Sequence, residues 1–177
     1  MSSKNRVYRM VLSAMFLAVA LVLPFLTGQI PQIGSTLCPM HIPVLLCGYF
    51  CGPLYAAVIG FIAPLLRLLL FGMPPLVPIG IPMCFELMTY GLVSGLLYKI
   101  LPKKKIYVYV SLIGAMLIGR IIWGIAKVIL FGLQKAPFGW EAFISGAVLG
   151  AVPGIIVQIV LIPTIVIILR KYTAKED

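Results

Sequence analysis

Residues 53–71 read PLYAAVIGFIAPLLRLLLF, a run of 19 residues with a single charge. At a rise of about 1.5 Å per residue, a helix of this length crosses the roughly 30 Å hydrocarbon layer of a bilayer. Similar runs recur along the 177 residues, of which 62% are hydrophobic and only 10% charged. Soluble domains carry about a quarter charged residues, and the strands of a membrane barrel alternate in polarity. The sequence therefore predicts an all-α integral membrane protein.

Turn-forming residues divide the chain into six predicted transmembrane helices. Their ranges are 8–26, 42–51, 53–71, 83–101, 106–133 and 143–170. The third begins at Pro53 because proline suits the first turn of a helix. The segment 72–82, GMPPLVPIGIP, is predicted to be irregular, since its four prolines remove amide donors. We expect a single transmembrane domain over residues 1–177, without a repeat.

The placement of the basic residues predicts the topology. Ten of the 14 Lys and Arg residues lie in three polar clusters, at residues 4–9, 99–105 and 170–175. Such clusters mark cytoplasmic loops, and six crossings put all three on the same side. Both termini are therefore predicted to be cytoplasmic. The first helix is predicted to be retained, because no small-residue cleavage site follows it.

Four charged residues fall inside the predicted helices: Arg67, Glu86, Arg120 and Lys127. A charge in mid-membrane costs on the order of 2.5–3.5 kcal/mol, so such residues usually serve a cavity or a partner. Arg67 and Arg120 each follow the predicted inner start of their helix by 14 residues, roughly 21 Å of rise. Glu86 lies near an outer helix start, and Lys127 lies higher than Arg120. All four are predicted in the outer third of the membrane.

Aromatic residues share helix faces with these charges. Arg120, Trp123 and Lys127 are spaced i, i+3, i+7, and Glu86 and Tyr90 are spaced i, i+4. Trp123 and Tyr90 offer apolar faces with a polar edge. The sequence predicts an outward-facing pocket for a small anion, with these aromatic residues lining its apolar part.

Arginines are predicted to hold the ligand's anionic group, because the four intramembrane charges sum to +2. Arg67 and Arg120 are the candidates, and Glu86 would orient one of them or accept a ligand hydroxyl. As an alternative, Arg67 and Lys127 extend toward lipid headgroups.

Motifs for chemistry are missing from the sequence. It contains no GxxxxGK[ST], GxSxG or HExxH motif, and its four cysteines fit no zinc spacing. Glu86 is the one carboxylate inside a predicted helix, so an acid/base pair is lacking. His41 is predicted to order a loop between Pro39 and Pro43. We expect no enzyme activity, cofactor or metal, and no nucleic-acid partner, because the net charge of +10 lies mostly in loops that face lipid headgroups.

Ala14 and Ala18 form a small-xxx-small pair on the first helix. Such a pair lets a second helix approach closely. Two interpretations stay open: packing within this chain, or docking of a partner subunit.

These features resemble the substrate-binding membrane subunits (S components) of energy-coupling factor (ECF) transporters over nearly the whole length. LSAMFLAVALVLPF at residues 12–25 looks like the first helix of that family, with Ala14 and Ala18 in its alanine motif. CPMHIPVLLCGYFCGPLYAAVIGFIAPLL at residues 38–66 is similar to the riboflavin/pantothenate/folate-like branch. So is GMPPLVPIGIPMCFELMTYGLVSGLLY at residues 72–98.

The resemblance implies a subunit that binds a vitamin on the outer face of a bacterial plasma membrane. A transmembrane coupling subunit, which would contact the alanine motif, and two cytoplasmic ATPases would be its partners. The charge surplus favours an anionic vitamin such as pantothenate or niacin over thiamin, with riboflavin and pyridoxine open. The alternatives are a stand-alone secondary transporter of a small organic anion and a membrane scaffold protein.

Overall fold

The computed structural model describes residues 3–27, 39–102, 104–133 and 152–173, and within these ranges every regular element is helical. The α-helices are α1 (Ser3–Val22), α2 (His41–Phe50), α3 (Pro53–Phe71), α4 (Ile81–Ile100), α5 (Lys105–Leu133) and α6 (Val152–Thr173). A 3-10 turn, Leu23–Thr27, continues α1, and a π-helical turn, Leu76–Gly80, leads into α4.

Five helical segments in the described ranges are long and apolar enough to cross a membrane, which confirms the predicted class. They are Asn5–Phe25, Pro53–Phe71, Leu76–Ile100, Lys105–Leu133 and Val152–Leu169. The helix α2 has 10 residues and is therefore roughly 15 Å long, about half the thickness of the hydrocarbon. A sixth crossing and the cytoplasmic position of the termini stay predictions.

Glycine and proline set the ends of α3 and the start of α4. The predicted third helix matches α3 at both ends, and Gly72 terminates it at φ 70°, a left-handed conformation that glycine adopts without strain. The prediction that residues 72–82 are irregular was wrong at its end, because Ile81 and Pro82 belong to α4. Proline is tolerated there since a first-turn N–H has no intrahelical partner. Val77, at φ −119° and ψ 131°, keeps the preceding turn distorted.

Three predicted segments lie wholly or largely outside the described residues. They are the start of the sixth helix (143–151) and the outer segments 27–41 and 134–142.

The helix α4 lies at the centre of the fold and packs against α2, α3 and α5. Its Gly91 and Gly95, one turn apart, make this packing possible. A methyl group on Gly91 would lie 2.5 Å from the carbonyl oxygen of Ala56 on α3, and one on Gly95 would lie 2.8 Å from that of Gly48 on α2. The backbones of three helices therefore touch where these glycines stand, and the side chains of α4 that follow Gly80 are held among α2, α3 and α5.

A continuous apolar core fills the space between α2, α4, α5 and α6. Its buried members include Leu45, Tyr49, Tyr90, Val108, Leu112, Ile162 and Val166. The hydroxyl of Tyr49 donates to the carbonyl oxygen of Val108 at 3.1 Å, so the one polar atom of this buried ring is satisfied. The core packs along α2 toward its C-terminal end at Phe50. The polar residues described next lie near the N-terminal end of α2, at His41.

Candidate functional site

Glu86 is a buried carboxylate on α4, with 2% of its surface exposed. Its Oε1 lies 3.1 Å from Nη1 of Arg120 on α5. The contact is an ion pair without the alignment of a hydrogen bond, because Oε1 has no hydrogen-bond partner among the described residues. A buried charge needs a paired charge to offset the loss of its hydration. Arg120 therefore stabilises Glu86 in the interior, and two of the predicted site residues lie side by side.

His41, the first residue of α2, also contacts this carboxylate. Its Nε2 lies 3.7 Å from Oε1 of Glu86, longer than a hydrogen bond, and its ring stands edge-on to Tyr90 with centroids 5.3 Å apart. The side chain is buried. The sequence predicted a loop-ordering histidine. The structure instead places it in a helix, against the polar cluster that begins with Glu86 and Arg120. No signal in a single sequence links His41 to Glu86, because the pairing depends on how α2 packs against α4.

Tyr90 completes the surroundings of Glu86. It lies on the same helix, one turn further along, with 1% of its surface exposed. The ring lies directly across Gly119 of α5, where any side chain would overlap it. Gly119 thus determines the position of the Tyr90 ring between α4 and α5.

The indole of Trp123 lies between two cations on α5. The guanidinium carbon of Arg120 is 5.9 Å from the ring centroid and the Nζ of Lys127 is 5.0 Å from it. Lys127 is also 5.5 Å from the centroid of Phe131. These distances suit cation–π attraction. The predicted i, i+3, i+7 face is thus continuous with the Glu86 cluster through Arg120.

Arg67 lies at a different place, where α3 meets the end of α1. Its Nη1 donates to the carbonyl oxygen of Leu21 at 3.0 Å. The guanidinium is 5.5 Å from the ring centroid of Phe25 and 5.7 Å from that of Phe71. The residue is 7% exposed. Arg67 therefore supplies a donor to a carbonyl at the C-terminal end of α1, where the α-helical hydrogen bonding ends.

The charges of the polar cluster sum to less than the predicted surplus. Arg120 and Lys127 carry two positive charges and Glu86 one negative, which leaves +1 when His41 is neutral. The predicted value of +2 also counted Arg67. Of the six predicted site residues, the structure groups Glu86, Tyr90, Arg120, Trp123 and Lys127, and it places Arg67 with the aromatic residues at the ends of α1 and α3.

The predicted docking pair, Ala14 and Ala18, lies on an exposed face of α1. Large apolar residues surround the pair: Met10, Val11, Met15, Val19 and Val22 are all at least 41% exposed. Ser13 and Ala20, on the opposite side, are buried. Within the described part of the chain, the small-xxx-small pair is therefore not used for internal packing.

The described residues contain no group of three or more His, Cys, Asp and Glu side chains that could hold a metal ion. What they contain is a bundle of apolar helices with one buried, mixed-charge, aromatic-rich cluster. This architecture defines a multi-pass membrane protein.

The chain belongs to the family of ECF transporter substrate-specific components, whose model matches residues 8–171. No curated protein and no solved structure matches it. Membership confirms the predicted family and shows that the protein is a substrate-binding subunit in the cell membrane. Its partners are an ECF coupling subunit and ATPases, and its substrate is a small molecule. S components bind transport substrates and are not enzymes, which confirms that prediction and replaces the stand-alone transporter and scaffold alternatives.

Proposed function

We propose that this subunit captures a small vitamin with a carboxylate group, such as pantothenate or niacin, on the outer face for ATP-driven uptake. The observation that carries the proposal is the ion pair of the buried Glu86 with the partly buried Arg120, beside Trp123 and Lys127. A membrane chain retains such costly charges where they serve a substrate. We further assign the chain to the riboflavin/pantothenate/folate-like branch, with six crossings and both termini cytoplasmic.

Arg120 is the principal ligand-binding residue in this proposal. A guanidinium has five N–H donors, so Arg120 can keep its contact with Glu86 and still donate to a ligand carboxylate. Lys127 adds the second positive charge, and its ammonium lies over the same indole. The ligand carboxylate would then bring the cluster from +1 to neutral.

The aromatic residues accept the apolar part of the ligand. Trp123 presents a large face next to both cations, and Tyr90 is held across Gly119. Arg67 contributes at the margin, because its contacts commit the guanidinium to α1 and two phenyl rings. Glu86 orients Arg120 and can accept a hydroxyl of the ligand.

Ligand binding to the purified subunit tests the proposal. Arg120→Ala should weaken the binding of a carboxylate vitamin by about one to two powers of ten, because a charge-assisted hydrogen bond contributes about 1.5–3 kcal/mol. Arg120→Lys should recover only part of this loss if the contact is bidentate. Isothermal titration of pantothenate and nicotinate in nanodiscs measures both effects.

An analogue with its carboxylate converted to an amide is the matched control. It should bind as weakly to the wild type as the acid binds to Arg120→Ala, and the substitution should then cost little more, since both changes remove one interaction. An amide that binds as well as the acid would exclude an anion-selective site.

A further inference from the structure

Two buried side chains, His41 beside Glu86 and Gln158 on α6, lack hydrogen-bond partners among the described residues. His41 is 2% exposed, and neither of its ring nitrogens is hydrogen-bonded. Gln158 on α6 is also 2% exposed, and its Oε1 has no partner. Buried polar atoms are nearly always paired in folded proteins. These atoms therefore indicate polar groups that bind here and that the described residues do not supply.

The imidazole of His41 has one nitrogen directed at the carboxylate and one directed elsewhere. Nε2 faces Oε1 of Glu86 at 3.7 Å, which favours the tautomer with the proton on Nε2. Nδ1 of the neutral ring is then a hydrogen-bond acceptor. It is buried, and the edge contact with Tyr90 fixes the plane of the ring.

The amide oxygen of Gln158 lies one helical turn from the same core cluster. Gln158 precedes Ile162 by one helical turn, and Ile162 packs in the cluster that contains Tyr90 and Leu45. Leu45 in turn follows His41 by one turn of α2. Gln158 and His41 thus each precede a packed core residue by one helical turn. The Oε1 of Gln158 and the Nδ1 of His41 are both hydrogen-bond acceptors that need donors.

We propose that Nδ1 of His41 accepts a hydrogen bond from the ligand, and that the ligand is a carboxylate that also carries hydroxyl or amide N–H donors. This inference rests on the proposed function, because it places those donors beside the Arg120–Glu86 pair. Gln158 Oε1 is a second buried acceptor without a partner among the described residues. A carboxylate without donors would leave Nδ1 of His41 unmatched, and the site would therefore bind it less tightly than a carboxylate that carries donors.

Two carboxylates separate donor recognition from anion recognition. Pantothenate carries two hydroxyls and an amide N–H besides its carboxylate, whereas nicotinate has a ring nitrogen and no such donor. The wild-type subunit in nanodiscs should bind pantothenate at least about tenfold more tightly than nicotinate. His41→Phe keeps the ring beside Tyr90 and removes both nitrogens. This variant should weaken pantothenate binding about tenfold and leave the affinity for nicotinate within about twofold of the wild type.

A second pair of variants identifies the nitrogen and does not depend on the Phe variant being folded. His41→Asn can place its amide oxygen near the position of Nδ1, and His41→Gln reaches toward that of Nε2. Asn should keep pantothenate affinity within about threefold of the wild type, and Gln should lose about tenfold. A merely structural role of His41 would lower the melting temperature without separating the two probes.

The outcomes distinguish this inference from the proposed function. If both carboxylates bind with dependence on Arg120 but equally well, and no His41 variant separates them, the inference falls and the proposed function stands. The inference also falls if ordered water pairs with Nδ1, since His41→Phe would then leave pantothenate affinity unchanged. If neither carboxylate binds and their amides bind tightly, the proposed function falls too.

Discussion

Arg67 and Arg120 are two shielded arginines in one helical bundle, and their partners differ. Arg67 donates to the backbone carbonyl of Leu21 and lies beside two phenyl rings. Arg120 faces the carboxylate of Glu86 and the indole of Trp123. A backbone carbonyl is a permanent, neutral partner, whereas a carboxylate is a charged one that a ligand carboxylate can imitate. We therefore propose that the chemistry of the partner, and not the depth in the membrane, distinguishes a structural arginine from a ligand-binding one.

The largest expected effect concerns α1, the helix whose Leu21 carbonyl accepts a hydrogen bond from Arg67. If its exposed face docks the coupling subunit, Ala14→Leu with Ala18→Leu should abolish co-purification of the complex, because bulky residues prevent close helix approach. Ligand affinity of the isolated subunit should not change, since the pair lies away from the Arg120 cluster. Val58→Leu, at an exposed position on α3, is the matched control. Recovery of the complex at wild-type yield would refute the docking role.

Removal of the partner of Arg120 should have the next largest effect. Glu86→Ala removes the carboxylate that offsets the charge of the partly buried Arg120 and should lower the free energy of unfolding by about 3 kcal/mol. The double variant Glu86→Gln, Arg120→Gln removes both charges and should lie within about 1 kcal/mol of the wild type. Unfolding in detergent with increasing SDS measures both. A single variant that is no less stable than the double would contradict the assigned ion pair.

Arg67→Ala should separate stability from binding. It removes one hydrogen bond and two cation–π contacts, so unfolding should become easier by about 1–2 kcal/mol. Affinity for a carboxylate should fall by at most about threefold, against one to two powers of ten for Arg120→Ala. Equal losses of affinity for the two variants would mean that both arginines hold the ligand, and the contrast between them would disappear.

Lys127→Met should show the smallest change. Its ammonium lies on the rings of Trp123 and Phe131, so its loss should weaken carboxylate binding about two- to fivefold. Lys127→Arg preserves the charge and should bind about as well as the wild type. If Met and Arg bind equally well at low ionic strength, Lys127 serves the membrane interface and not the ligand.

Much of the helix pattern could be predicted because the local signals agree. Gly52 and Pro53 set the start of α3, Gly72 sets its end, and the long apolar runs predict the spans. The predicted irregular segment, residues 72–82, extended too far into the start of α4, since proline is compatible with a first helical turn. The close packing at Gly91 and Gly95 was not predicted, although a glycine pair one turn apart is a sequence signal for it.

The candidate site was only partly predictable. The spacing of Arg120, Trp123 and Lys127 predicted one helix face, and the structure places their charges around one indole. Counting residues along each helix gave Arg67 and Arg120 the same height and so the same role. Such counting carries no information on which helices are neighbours. The contacts of Arg67 with α1 and of His41 with Glu86 both depend on tertiary packing.

The short helix α2 has a consequence for permeability. Eight of its residues are buried, and beyond His41 it continues into a dense apolar layer that contains Leu45, Leu112 and Val166, each 0% exposed. A charged solute held at Arg120 would have to shed its hydration to enter that layer, at a cost of many kcal/mol. The isolated subunit should therefore be an electrical insulator that neither leaks ions nor lets its cargo diffuse through. We expect delivery to the other side to require movement of the helices themselves.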